Sequence, residues 1–196
     1  MDPELAEALD SAWRLIGRGA ADRRSPLHTP VVASVCDGLP QARVMVLRAA
    51  DRAGAALRFH TDVRSPKCAE LDGQPVTVLG YHPGEAVQLR LSGTARVVST
   101  GAEVDRIWAQ STPFARRCYM VEAEPGTPLP GPGSGLPASV EGRKPEEAEL
   151  VPARANFAIV QITVTAIDWL HLAAAGHRRA MFRREATGWQ GEWRLP

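Results

Sequence analysis

Cysteine is scarce and unpaired in this chain. The three cysteines, Cys36, Cys68 and Cys118, are far apart and form no C-x-x-C. An odd, scattered set excludes a disulfide framework and a paired-cysteine zinc site, and it suits a reducing, cytoplasmic setting where each thiol serves as a small buried apolar residue. No apolar run approaches the ~20 residues that a membrane-spanning helix needs. The opening MDPELAEALDSAW is acidic and periodic, where a signal peptide would have a basic start and an apolar centre. Charge of either sign is not in excess: 23 Lys and Arg stand against 22 Asp and Glu, for a net +1 and a pI near 7.8. The whole chain therefore carries no electrostatic footprint for nucleic acid or an anionic membrane, and any anion site must be local. Familiar catalytic signatures are missing too: no G-x-S-x-G, no H-E-x-x-H, and no G-x-G-x-x-G after a strand. His28, His60, His82, His171 and His177 lack metal-ligand spacing with a second ligand, so no metal site is expected.

What is present is a series of short strands. The 196 residues are 44% apolar and 23% charged, enough for one domain with a sizeable core. An N-terminal segment, residues 1–24, places Leu5, Ala8, Leu9, Ala12, Trp13 and Ile16 at helical spacing behind the start signals Asp2 and Pro3. Val31 to Cys36 reads as a strand, Asp37-Gly38 as a hairpin turn, and Gln41 to Arg48 as the returning strand. Ala56–Thr61 is the next strand, followed by a helix near Pro66–Leu71 and a strand from Pro75 to Tyr81. Alternation is cleanest after that: Val87, Leu89, Leu91, Ala95 and Val97 fall on one face and Gln88, Arg90, Ser92, Thr94 and Arg96 on the other, with Gly93 suggesting a bulge or sharp bend. Gly101–Tyr119 reads as a helix interrupted near Pro113, and residues 125–148 as a Pro/Gly-rich loop that ends in a short acidic helix. Asn156–Leu172, Arg178–Glu185 and Trp189–Pro196 complete the strands. This spacing predicts a mostly β, antiparallel barrel with flanking helices rather than βαβ units.

One stretch gathers chemistry. Arg43-Val44-Met45-Val46-Leu47-Arg48 sets a cation at each end of an apolar run, and Phe59-His60-Thr61 leads into Ser65-Pro66-Lys67 at a helix start. Cations supply charge and a helix N-terminus supplies unpaired N–H groups, so the stretch suits an anion. A hairpin with solvated edge charges has the same pattern. Alternation over Arg43–Arg48 would put its two arginines on opposite sides, unable to share one phosphate.

Taken in order, these residues resemble the pyridoxamine 5′-phosphate oxidase family of FMN-binding split barrels. That family has an R-x-x-x-L-[KR] strand, an F-Y-T strand, an S-x-K helix start, a Q-V-R strand, and a late W followed by R-L-H-D-R. Here stand Arg43 to Arg48, Phe59-His60-Thr61, Ser65-Pro66-Lys67, Gln88-Leu89-Arg90, Trp169, His177 and Arg179, with Trp-to-His and Trp-to-Arg intervals matching the family's. The resemblance covers roughly residues 25–196. It implies a six-stranded antiparallel split barrel and a homodimer with FMN at the subunit interface. It also implies that Arg43 and Lys67 hold the FMN phosphate, with Ser65 at the helix start. The backbone of Val44, Met45, Val46 and Leu47, with His60 and Thr61, would border the ring and ribityl chain. Gln88, Trp169 and Arg179 would close the flavin, and Arg48 and His177 would face the substrate. The implied activity is flavin-mediated hydride transfer on a small substrate.

Departures from the pattern are as informative. His60 replaces the F-Y-T tyrosine, Pro66 replaces a phosphate-side cation, and Ala175 stands where the true oxidase carries a substrate-contacting Arg. The Y-x-x-x-R-P-x-x-S segment is unrecognisable around Arg116 and Arg117. Flavin determinants are kept better than vitamin B6 determinants. The rivals are an FMN carrier or sensor without turnover, the true pyridoxamine/pyridoxine 5′-phosphate oxidase, and a barrel that holds a deazaflavin or haem.

Overall fold

In the computed structural model, which describes residues 1–196, nine strands share one sheet. They are β1 (Val31–Cys36), β2 (Leu39–Val44), β3 (Leu47–Asp51), β4 (Ala56–Asp62), β5 (Pro75–His82), β6 (Val87–Val98), β7 (Phe157–His171), β8 (Arg178–Glu185) and β9 (Gly188–Arg194). The order is β2-β1-β5-β6-β7-β4-β3, with β8 on β7 and β9 on β8. Where register is defined, as for β1–β2, β1–β5, β3–β4, β5–β6, β7–β8 and β8–β9, pairing is antiparallel. The two ends of the main path, β2 and β3, are separated in sequence by Met45 and Val46 alone. The three steps from Val44 to Leu47 span roughly 11 Å at most, so the sheet must curl until its ends approach without pairing. That is the split-barrel fold.

The expectation of six strands is corrected to nine. The single strand expected over Gln41–Arg48 is broken at Met45–Val46: the Met45 N–H still donates to the Pro30 carbonyl at 3.0 Å, in register with β1–β2, and Leu47 then starts the pairing of β3 with β4. The C-terminal hairpin β8–β9 then extends the sheet from residues 166–171 of β7. Asp37 and Gly38 take φ of 52° and 77°, the two left-handed residues that a type I′ hairpin turn requires. On its β5 side Gly93 sits in an unbroken register, Val76↔Gly93. A Cβ there would lie 2.1 Å from the Thr163 carbonyl oxygen, so glycine is needed for close approach of β7.

Contacts divide the chain into two compact units. The first comprises Met1–Phe59, Gly73–Arg96 and Gln161–Pro196. Its helix α1 (Pro3–Ala21) starts at an Asp2 N-cap whose carboxylate accepts from the N–H groups of Glu4 and Leu5. The expected stripe of α1 is buried, together with Leu15 and Gly19, and the helix packs on β3, on the 3₁₀ turn Pro26–His28 and on β8–β9. Trp13 meets Trp189 edge-on at 6.2 Å between centroids.

The second unit comprises His60–Asp72 and Val97–Val160. It holds α2 (Lys67–Leu71), α3 (Ala102–Gln110), α4 (Pro113–Arg117) and α5 (Glu147–Leu150). Val104, Ile107, Trp108, Leu150, Ala153, Phe157 and Ile159 form its core. Residues 125–137 contain no helix or strand, as nine Pro or Gly among thirteen residues would dictate. The cysteines are all free, but the expectation of burial holds only for Cys68; Cys36 is half-buried and Cys118 exposed. Cys118 sits in a 3₁₀ turn after α4, where its thiol reaches the Ala115 carbonyl.

A capping box starts α5. Its Glu149 carboxylate accepts from the Arg143 guanidinium at 2.6 and 2.9 Å and from the Glu146 N–H at 2.7 Å. These bonds, Arg143 first, hold the Glu149 carboxyl at about 2, below its ordinary 4.5. A depressed carboxyl pKa stabilises the fold above the ordinary value, and that stabilisation is lost as pH falls toward about 2. Glu149→Gln is therefore expected to flatten the pH dependence of the urea midpoint in this acid window. An unchanged slope would mean that the bridge contributes nothing.

Candidate functional site

In the second unit, β4 ends and the turn into α2 gathers Thr61, Ser65 and Lys67. The Lys67 ammonium donates to Ser65 Oγ at 2.7 Å and to Thr61 Oγ1 at 3.5 Å. Both hydroxyl residues are buried, at 5% and 6% exposure, while Lys67 is half-buried. Ser65 does not cap α2 with its side chain; the Ser65 carbonyl instead accepts the Cys68 N–H at 2.9 Å. The hydroxyl is left to the lysine. A cation among hydroxyls rather than carboxylates keeps its charge available to an anion. The turn is braced by Arg64, which pairs with Asp62 at 2.7 Å and donates to the carbonyls of Val121 and Glu122. His60 lies edge-on to Phe157 with centroids 5.0 Å apart. Burial pushes the Cys68 thiol pKa up.

In the first unit, Arg43 reaches across the ladder from β2. It donates to Ser34 Oγ at 2.7 Å and to the Val32 carbonyl at 3.4 Å. Val44 is exposed, Met45 and Leu47 are buried, and Val46 is half-buried between the two strands. Burial still alternates from Arg43 to Arg48 through the break at Met45–Val46. The two arginines differ in setting: Arg43 is half-buried and Arg48 exposed on β3. Gln88 is half-buried on β6, opposite Tyr81.

At the far end of β7, register sorts the remaining residues by face. Arg179 pairs with Leu170, so it shares a face with Asp168; Trp169 pairs with Ala180 on the opposite face. Trp169 and Arg179 are thus not brought together within the unit. Arg179 donates to both Asp168 oxygens, at 3.0 and 2.8 Å, and Arg90 stands 3.7 Å from the same carboxylate. Asp168 is 6% exposed; the bond to it raises the Arg179 pKa further and keeps the guanidinium charged. Trp169 is buried and its Nε1 has no acceptor. His177 is exposed in the β7–β8 loop. Sequence reasoning missed Asp168, although a lone acid in the apolar run of β7 signals a buried partner. It also missed Arg178, whose guanidinium stacks on Trp169 and Trp193 at 5.9 and 5.4 Å from the ring centroids.

Residues 10–99 match the pyridoxamine 5′-phosphate oxidase FMN-binding domain. A pyridoxine/pyridoxamine 5′-phosphate oxidase of Burkholderia vietnamiensis is 30% identical over 172 residues, covering 83% of this chain and 76% of the relative. The chain belongs to the pyridoxamine 5′-phosphate oxidase family. A second oxidase of that name, from Granulibacter bethesdensis, is 26% identical over 191 residues, 95% of this chain and 88% of its own. Among solved structures, a pyridoxamine 5′-phosphate oxidase-related, FMN binding protein of Nostoc punctiforme shares the fold, with a TM-score of 0.69 at 23% identity over 100% of this chain and 99% of its own.

FMN, the cofactor expected from the sequence, is the cofactor of the family's matched domain. The residues present fit it. A phosphate needs a cation with short donors, which Lys67, Ser65 and Thr61 supply together. Arg116 and Arg117 are engaged elsewhere in the second unit. Arg116, 6% exposed, is spent on Glu147 at 2.6 Å and on the Trp108 ring, and Arg117 donates to the Arg143 carbonyl at 2.8 Å.

Proposed function

We propose that the protein is a homodimeric FMN-dependent oxidoreductase, a single FMN-binding split-barrel domain acting on a small substrate other than a vitamin B6 phosphate. The observation that carries the reading is the Lys67 ammonium poised on Ser65 and Thr61 within a family whose domain binds FMN. Lys67 and Arg43 neutralise the phosphate, and Ser65 donates to it. The backbone of Val44, Met45, Val46 and Leu47, with His60 and Thr61, borders the ring and ribityl chain. Gln88 can donate to and accept from the ring's pyrimidine edge. Trp169 and the Asp168-oriented Arg179 close the cofactor, and Arg48 and His177 face the substrate. FMN, when bound, supplies the hydride-transfer chemistry. No side chain is assigned as an obligatory acid or base.

Dimerisation is supported by an apolar row on the outer face of β2, β1 and β5. Val44 pairs with Val31, and Val31 with Leu79; Val44 and Leu79 are 65% and 37% exposed. Exposed apolar rows of this kind mark contact surfaces.

The reading against B6 phosphates rests on the commitment of Arg116 and Arg117 elsewhere. The same commitment favours a carrier without turnover as the second reading. Anaerobic addition of reduced nicotinamide, and separately of pyridoxamine 5′-phosphate, to the FMN-loaded protein decides among them. Bleaching of the visible flavin band by the nicotinamide alone is expected. Bleaching by pyridoxamine 5′-phosphate would restore the true oxidase, and no bleaching by either would leave the carrier.

A further inference from the structure

Within the first unit, a cavity of about 840 Å³ opens between α1 and the ends of β7 and β8. Its volume suits a small organic ligand. Most of its charge is already spent: Arg14 pairs with Glu85 at 2.5 Å, and Arg52 pairs with Asp10. Arg178 differs. It is exposed, makes no ion pair, and is held against Trp169 and Trp193. Stacking covers guanidinium faces and leaves its N–H edge free for two parallel bonds to an oxyanion.

The wall beside it is aromatic. His171 lies directly across the ladder from Arg178 and 5.8 Å from the Trp169 ring, and Val87, Ala173 and Ala175 leave room in front. The indole Nε1 of Trp169 is buried with no acceptor in the protein, an omission that normally destabilises a fold. Glu7, the remaining carboxylate of the lining, is on α1. An anionic end is therefore favoured at β8 and disfavoured at the helix.

From this geometry we infer that the cavity binds an aromatic carboxylate, with Arg178 gripping the carboxylate and Trp169 and His171 flanking the ring. The inference goes beyond the oxidoreductase reading, since Arg48 and His177, which that reading turns toward its substrate, are not in the lining of this cavity. Arg178 is the ligand-gripping residue, preset by two indoles so that little side-chain entropy is lost on binding.

Benzoate, inorganic phosphate and benzyl alcohol serve as probes, titrated into full-length FMN-loaded protein and followed by the NMR signal of the Trp169 indole N–H. The visible flavin spectrum of each sample is recorded alongside. Benzoate is expected to shift the signal saturably, with the other two at least tenfold weaker. Arg178→Gln should weaken benzoate about tenfold or more while FMN is retained, and Arg178→Lys should fall between, since it keeps charge without the fork. Benzyl alcohol matching benzoate would overturn the anion, phosphate matching it would overturn the aromatic ring, and an undiminished Arg178→Gln would overturn the residue. Loss of FMN with benzoate binding intact would instead count against the flavin reading alone.

Discussion

Replacing Arg43 and Lys67 together by alanine is expected to strip FMN from the protein while leaving its far-UV circular dichroism and elution volume unchanged. Each cation contributes a charge-assisted bond worth about 1.5–3 kcal/mol, so the pair should cost at least about a hundredfold in affinity. Lys67 carries the larger share, because its partners are the hydroxyls of Ser65 and Thr61 at 2.7 and 3.5 Å. Arg43 also bonds Ser34 at 2.7 Å, so its removal loosens β1 against β2 as well. Ser65→Ala, which removes one neutral donor, should cost about tenfold or less. Fluorescence titration of FMN separates these cases. A double variant that holds FMN as tightly as the parent would remove both residues from the phosphate.

Gly93→Ala is the largest expected stability effect. Its Cβ would stand 2.1 Å from the Thr163 carbonyl oxygen and 3.1 Å from Val164 Cα, backbone atoms on a neighbouring strand that cannot swing aside. Moving β6 away would break its ladder with β5, which is continuous from Pro75↔Thr94 to His82↔Val87. Overpacking of this sort costs about 3 kcal/mol or more, a large fraction of the roughly 5–15 kcal/mol that holds a domain together. Gly17→Ala is the control. Nothing lies within 4 Å of its Cβ on α1, so helix propensity should make that change stabilising by about 0.5–1 kcal/mol. Urea midpoints that fell equally for both would contradict the steric argument.

The strands with one clean apolar face were legible because period-two alternation is a local property. In β6, Val87, Leu89, Leu91 and Ala95 are buried as the pattern requires. The stripe of α1 was legible for the same reason. The break at Met45–Val46 was not, because the apolar run from Val44 to Leu47 continues through it. What ends β2 is a long-range choice: β2 pairs with β1, β3 with β4, and the chain must cross between them. Gly93 announced itself as special but not why, since Thr163 is far away in sequence.

The candidate site divides in the same way. Thr61, Ser65 and Lys67 fall within one short segment, so sequence spacing alone could place them together. Trp169 and Arg179 were grouped by motif, yet strand register sets them on opposite faces, with Arg179 held by Asp168. Arg178 escaped notice because its significance depends on Trp193, which only the β8–β9 pairing brings near Trp169.

The most direct test of the flavin reading is a visible spectrum of the purified protein after FMN addition and gel filtration. FMN co-eluting with a dimer is the expected result. Protein that elutes colourless after incubation with FMN would contradict it, and the assignments of Arg43, Lys67 and Gln88 would fall together.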